Sequence, residues 1–272
     1  MIPPDSFAII IGAMKSGTTT LYAHLARHPG ICPCALKEPE YFSRHQDHAA
    51  ETTERYEALW DFDPSRHRWA LEASTGYTKY PMEPGVPERM DSYGIRPQLI
   101  YIMRDPFERI ESHRHSMRHS PRLRRKMLDE HHIAVSDYCM QLDRYRRVWP
   151  DAEILLLDFA QLRQDPAAVV RKALAFLDLA FEGVRIEELH ENPTRDRPTL
   201  LRWYARLMSG SRIRNPLPAA LKERLRKLLG NLFPGGRRRL SPRQRRVVYR
   251  RLAPGMRKLR DEWGFDVSGW GF

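Results

Sequence analysis

A chain of 272 residues, 42% of them hydrophobic, is long enough for one α/β domain with a sizeable core. Its three cysteines, Cys32, Cys34 and Cys139, are too few and too poorly spaced for a disulfide scaffold or a zinc site, and no apolar run approaches the roughly 20 residues of a membrane span. The formal net charge of +12 points to anionic partners but is uneven. Residues 202–260 hold 19 Lys/Arg against one acid, Glu223, which leaves 27 basic and 33 acidic residues elsewhere.

The first predicted element is the apolar, β-branched run 7–11, a buried strand. It meets Gly12. Lys15, Ser16, Gly17, Thr18, Thr19 and Thr20 follow and lead into a helical pattern over 21–27. A strand, a glycine-containing loop and a helix N-terminus form an anion site: loop N–H groups and the helix dipole face the ligand, and Lys15 adds a full charge. The expected ligand is a phosphate. In the triphosphate P-loop the lysine directly follows the second glycine. Here Thr18 follows Gly17 and the lysine sits inside the loop. The loop suits a phosphate better than it suits metal-assisted triphosphate hydrolysis.

Further along, 69–72 reads as a second strand and 99–103 as a third. The third ends in Arg104-Asp105-Pro106, and a helix is expected over 108–119, with Pro106 suited to its first turn. Arg104 at the strand end and Ser112 on the helix make a second candidate anion clamp. A helix over 135–149, a strand over 153–157 and a helix over 166–177 come next. Such alternation predicts a parallel sheet covered by helices on both faces. Ligands in such folds bind at the carboxyl ends of the strands, where Lys15 and Arg104 both fall. His113, His115, His119, His131 and His132 cluster without the partners of a recognisable metal set, so they read as structural and no metal is expected.

The basic segment at about 200–260 interleaves arginines with leucines at helical spacing, broken at Pro216, Pro218, Pro234 and Gly235-Gly236. It suits a solvated helical face, or peripheral contact with an anionic membrane or a lipid-linked acceptor. Nucleic acid is disfavoured, because no nucleic-acid motif accompanies the charge. No basic region precedes residues 7–14, which are too short and glycine-interrupted for a signal core; a cytoplasmic protein with reduced cysteines is expected, with peripheral contact at the inner membrane surface left open.

Together these motifs resemble the sulfotransferases that use 3′-phosphoadenosine 5′-phosphosulfate (PAPS). The resemblance is to the carbohydrate branch, with its heparan sulfate sulfotransferases and many bacterial enzymes. Gly12-Ala13-Met14-Lys15-Ser16-Gly17-Thr18-Thr19-Thr20 resembles the family's 5′-phosphosulfate loop, and Arg104-Asp105-Pro106-Phe107-Glu108-Arg109 with Ser112 its 3′-phosphate segment. Lys37-Glu38-Pro39-Glu40-Tyr41-Phe42 is similar to the branch's "KEP(H)FF" segment, Glu72-Ala73-Ser74-Thr75-Gly76-Tyr77 to its next strand end, and Asp266-Val267-Ser268-Gly269-Trp270 to its ending.

The resemblance implies a P-loop-like three-layer α/β fold with a central parallel sheet, forming one domain over 1–272. It implies PAPS as donor, PAP (3′-phosphoadenosine 5′-phosphate) as product and no metal. Lys15 would stabilise the leaving phosphate, and Lys37 the bridging oxygen. Glu38 would be the general base, with Glu40 and His115 in reserve. Arg195 or Arg197 would clamp the nucleotide from a closing loop. Glu72 would orient the acceptor or hold a loop, and Tyr138 and Gln141 would border the acceptor cleft. This sequence has Ala73 where some animal relatives have lysine, and Glu40 where histidine is frequent. The acceptor implied is a sugar hydroxyl, on a carbohydrate, a glycolipid or a glycosylated natural product. A small-molecule phosphotransferase with an atypical phosphate loop and a non-catalytic membrane-docking module remain as alternatives.

Overall fold

Five apolar runs build one sheet: β1 (Phe7–Gly12), β2 (Ile31–Pro33), β3 (Trp69–Ala73), β4 (Gln98–Met103) and β5 (Ile154–Asp158). The structure, a computed structural model, describes residues 2–44, 56–116, 129–149, 154–181 and 239–272. The strand order is β2-β3-β1-β4-β5, and every pairing is parallel. β1 is central: Ile9 lies between Glu72 of β3 and Leu99 of β4, and the whole strand is buried. A strand covered on both faces reads as a continuous apolar run, as 7–11 does.

Successive β1 side chains enter opposite layers. Ala8 and Ile10 pack with Leu21 and Leu25 of α1 (Thr18–Leu25). The same layer holds Leu162 of α7 (Phe159–Gln164) and Val169, Val170, Ala173 and Leu174 of α8 (Pro166–Phe176). Phe7, Ile9 and Ile11 face the other layer. There they meet α3 (Val86–Tyr93), α4 (Pro106–Ser116), α5 (Glu130–Ala134), α6 (Tyr138–Arg146) and α9 (Pro242–Trp263). Short α2 (Tyr41–Arg44) and a 3-10 turn, Thr75–Thr78, sit on the same side. Each Ile, Leu or Val buried in these layers contributes roughly 1.5–3 kcal/mol. The three-layer expectation holds.

The four expected strands are present within one residue of their expected ends. β2 was not expected, because three residues ending in a proline at the sheet edge are too short for a periodic signal. The helix expected over 135–149 is present as α6, shorter at both ends, and a separate unexpected α5 precedes it. α5 stops, and Asp137 caps α6 by accepting from the Met140 N–H at 3.2 Å, which restarts the helix. α9 begins with a capping box of Ser241 and Gln244 and runs 22 residues through Pro254. Arg195, Arg197 and the basic residues 202–238 lie outside the described residues. Among the described residues no helix is long and apolar enough to cross a membrane.

Arg109 of α4 is fully buried and ties α4 to the α5–α6 junction. Its Nε donates to Ser136 Oγ and its Nη2 to the His132 carbonyl, both at 2.7 Å. Arg109→Ala removes both bonds and leaves a cavity, so the urea unfolding midpoint should fall by the equivalent of about 3 kcal/mol.

Candidate active site

β1 delivers the chain into a turn that needs glycine at both ends. Gly12 has φ 150, and a Cβ there would lie 2.1 Å from Thr78 Oγ1, which itself donates to the Ile11 carbonyl at 2.9 Å. Gly17, at φ 85, precedes α1, and a Cβ there would lie 2.6 Å from the Phe159 ring. Between them Lys15 adopts a left-handed φ of 71. A left-handed non-glycine residue costs on the order of 1–3 kcal/mol and persists where its surroundings hold it, often at functional sites. Ser16 is fully buried, and its Oγ has no hydrogen-bond partner among the described residues. Thr18 is buried, while Thr19 and Thr20 open α1 nearer the surface. The resulting cradle combines backbone N–H groups, a helix N-terminus, an unpaired buried hydroxyl and a lysine.

Arg104, at the end of the neighbouring strand, leans over this cradle. Its guanidinium stacks on the Phe159 ring at 4.8 Å, and Nη1 approaches the Lys15 carbonyl at 3.4 Å. Its Nε and Nη2 both donate to Glu108 Oε2, at 3.1 and 2.7 Å. Asp105 caps α4 by accepting from the Phe107 N–H at 2.7 Å, with Pro106 in the first turn. Ser112 stands one turn beyond Glu108 on the same helix face. The structure therefore joins the two anion elements seen in the sequence, through Phe159, a residue the sequence reading did not single out.

The third element crosses the end of the sheet. Lys37 Nζ lies 3.6 Å from Glu38 Oε1, and Thr75 Oγ1 faces Glu38 Oε2 at 3.5 Å. Burial lowers the pKa of Lys15, Glu38 raises it, and Lys37 lowers it further. These three groups thus lie within electrostatic reach of one another.

Other expected site residues point elsewhere. Glu40 is buried, its carboxylate accepting from the Gly76 N–H at 2.8 Å and from Ser43 Oγ at 2.7 Å. Glu72, in β3, is fully buried and accepts from Ser74 Oγ at 2.6 Å and from Tyr56. Burial raises its pKa, against the hydrogen bonds it accepts. Tyr138 is buried and donates to the Arg104 carbonyl at 2.6 Å. Gln141 is spent on the backbone, accepting from the Tyr80 N–H and donating to the Tyr80 and Ala134 carbonyls. His115 is buried on α4.

Residues 5–197 match the family described as Sulfotransferase domain. Human bifunctional heparan sulfate N-deacetylase/N-sulfotransferase 3 is 26% identical over 197 residues, covering 62% of this chain and 22% of that protein. The mouse bifunctional heparan sulfate N-deacetylase/N-sulfotransferase 4 shows the same identity and coverage. The chain thus spans about a fifth of the length of these curated relatives, 22% in each case. The crystal structure of the sulfotransferase from Alicyclobacillus acidocaldarius aligns over 100% of both chains with a TM-score of 0.65 and 21% identity, which shows a shared fold.

Between α4 and α5 lies a buried histidine cluster. The His113 ring is 4.7 Å from that of His132, and His132 Nδ1 pairs with Asp129. Burial, then the nearby Arg109 and His132, push His113 down to about 2; burial also lowers His131 and His132. Unfolded histidines take a proton near pH 6.5, whereas burial delays protonation of the folded cluster to lower pH. The unfolded chain therefore binds more protons below that pH, and stability should fall as pH drops through it. Glu72 works the other way, so a variant isolates the effect. Between pH 7.5 and 5.5, His113→Gln should lose less of its urea midpoint than the wild-type protein does.

Proposed function

Because this chain belongs to the sulfotransferase family, we propose that it moves a sulfuryl group from PAPS to an acceptor hydroxyl on a carbohydrate, a glycolipid or a glycosylated natural product. One observation carries the reading: Lys15 stands at left-handed φ inside a glycine-bounded cradle, with the Arg104 guanidinium stacked on Phe159 beside the loop and its Nη1 3.4 Å from the Lys15 carbonyl. The unpaired Ser16 Oγ, at the N-terminus of α1, fits a phosphosulfate.

Sulfuryl transfer breaks the bond between sulfur and the donor's phosphate oxygen and forms one to the acceptor oxygen. Negative charge grows on the leaving phosphate, and Lys15 is the fixed cation that meets it. The acceptor must lose a proton, and Glu38 takes it. Lys37, beside Glu38, adds positive charge where the bridging oxygen would sit. Arg104 and Ser112 hold the donor's 3′-phosphate, which competes with Glu108 for the guanidinium. That exchange is cheap, because Glu108 is exposed and exposed pairs contribute about 1 kcal/mol or less. The names of the heparan sulfate relatives support a carbohydrate acceptor.

Calorimetric titration with PAP in metal-free buffer, against ATP with Mg²⁺ as control, tests the donor. Tight PAP binding is expected, weakened at least about tenfold by Lys15→Ala and by Arg104→Ala, a loss of about 1.4 kcal/mol or more in each. Preference for ATP with Mg²⁺ would overturn the reading in favour of phosphoryl transfer. Because burial lowers the Lys15 pKa, the lysine loses its charge at lower pH than an ordinary lysine does. PAP affinity should therefore decline on the alkaline side before ordinary lysines titrate.

Glu38→Gln should leave PAP affinity intact and slow turnover by roughly 10²–10⁴-fold. Wild-type turnover in that variant would remove Glu38 as the base.

A further inference from the structure

The short segment that presents Glu38 is held in an unfavourable backbone. Glu38 and Glu40, on either side of Pro39, both have a φ of 54. Left-handed conformations at two glutamates survive only where the surroundings impose them. The imposing contacts come from the turn after β3, from the end of β3 and from α2. The Glu40 N–H donates to Ser74 Oγ at 3.0 Å, and Ser74 Oγ donates to Glu72 Oε1 at 2.6 Å. The Glu40 carboxylate accepts from the Gly76 N–H and from Ser43 Oγ. Between Ser74 and Gly76, Thr75 faces Glu38 itself.

Gly76 is part of this device. A Cβ at that position would lie 1.6 Å from Glu40 Oε2 and 2.6 Å from its carboxyl carbon. The turn after β3 thus leaves a slot shaped to the Glu40 carboxylate. Both carboxylate oxygens are engaged there, and the side chain is 5% exposed, so it is spent on the protein rather than offered to an acceptor.

We propose that Glu40, seated in the Gly76 slot and backed by Ser74 and Glu72, is a positioning residue that fixes Glu38 opposite Lys15. This rests on the reading of Glu38 as the general base. The anchor acts through Glu38 and does not touch the donor. It predicts a loss of rate without a loss of nucleotide affinity.

The test uses the full chain, with N-desulfated heparin as the acceptor probe, water as the background acceptor, and PAP release as the readout. Three variants are compared: Glu40→Ala, Glu40→Gln and Gly76→Ala. Gly76→Ala evicts the carboxylate without altering it, and so stands in should Glu40→Ala fail to fold. Glu40→Ala and Gly76→Ala should each lower kcat at least 30-fold while PAP Kd stays within twofold. Glu40→Gln, which keeps an oxygen for the Gly76 N–H, should recover most of the rate. In a Glu38→Gln background, Glu40→Ala should cost less than a further twofold, because both changes remove the same function.

The proposal is overturned if folded Glu40→Ala and Gly76→Ala turn over at the wild-type rate. It is equally overturned if PAP affinity falls in step with kcat, or if the Glu40→Ala loss persists in full in the Glu38→Gln background. Failure of the base reading is a separate result: Glu38→Gln alone then turns over as the wild type does.

Discussion

β1 ends against Thr78, whose hydroxyl holds the Ile11 carbonyl and fills the space that a side chain at position 12 would need. Only glycine can follow the strand there, and only glycine can close the loop against Phe159 at position 17. Those two positions decide where Lys15 stands, and Lys15 decides where negative charge can be tolerated. The Ala13 N–H, bonded to the Ile102 carbonyl at 2.7 Å, fastens the same loop to β4, so Arg104 and Lys15 share one rigid support. The distance between the two anion elements is thereby set by the sheet and not by side-chain freedom.

Charge around this support divides into two kinds. Glu108 and Glu38 face cations, Arg104 and Lys37, at the edge of the site, and neither carboxylate is buried. Pairs of that kind are weak in water and can exchange partners. Glu40 and Glu72 instead face neutral donors: an amide, serine hydroxyls and tyrosine phenols, all inside the protein. Removing such a donor leaves a buried carboxylate short of a hydrogen bond, at about 1–3 kcal/mol or more. Carboxylates of the first kind can take part in a reaction cycle. Those of the second kind hold a shape.

That division was not legible in the sequence. Four of the five strands were, because runs such as 7–11 and 99–103 are apolar on both faces of a buried sheet. The glycine-bounded loop between strand and helix was legible too, since Gly12 and Gly17 bracket Lys15 in the sequence as they do in the fold. Direction was the missing quantity. Glu38 and Glu40 are two residues apart in one motif, yet Glu38 is partly open and faces Lys37 while Glu40 turns into the protein. Nothing in residue type reports that turn; it follows from left-handed backbone at both positions and from the empty space at Gly76. Tyr138 and Gln141 misled for a related reason. Helical spacing gave their common face, but the restart of the helix at Asp137 aimed that face at the Arg104 carbonyl and at Tyr80.

The far end of the chain is also part of this site. Tyr138 holds the Arg104 carbonyl, and the Trp270 ring packs on Tyr138 at 5.8 Å. Two residues on, Phe272 stacks on Phe107 at 5.5 Å, while Tyr249 covers Phe272 at 5.1 Å and Arg245 covers Phe107 at 4.2 Å. The segment from Arg104 to Phe107, which carries the guanidinium at one end and starts α4 at the other, is therefore buttressed by the C-terminal turn and by α9. Aromatic pairs of this kind add about 0.5–1.5 kcal/mol each beyond the area they bury. No single one of them fixes the guanidinium. Stacked in series beneath one short segment, they restrict its freedom to move, so the C-terminal turn supports Arg104 without facing the loop that carries Lys15.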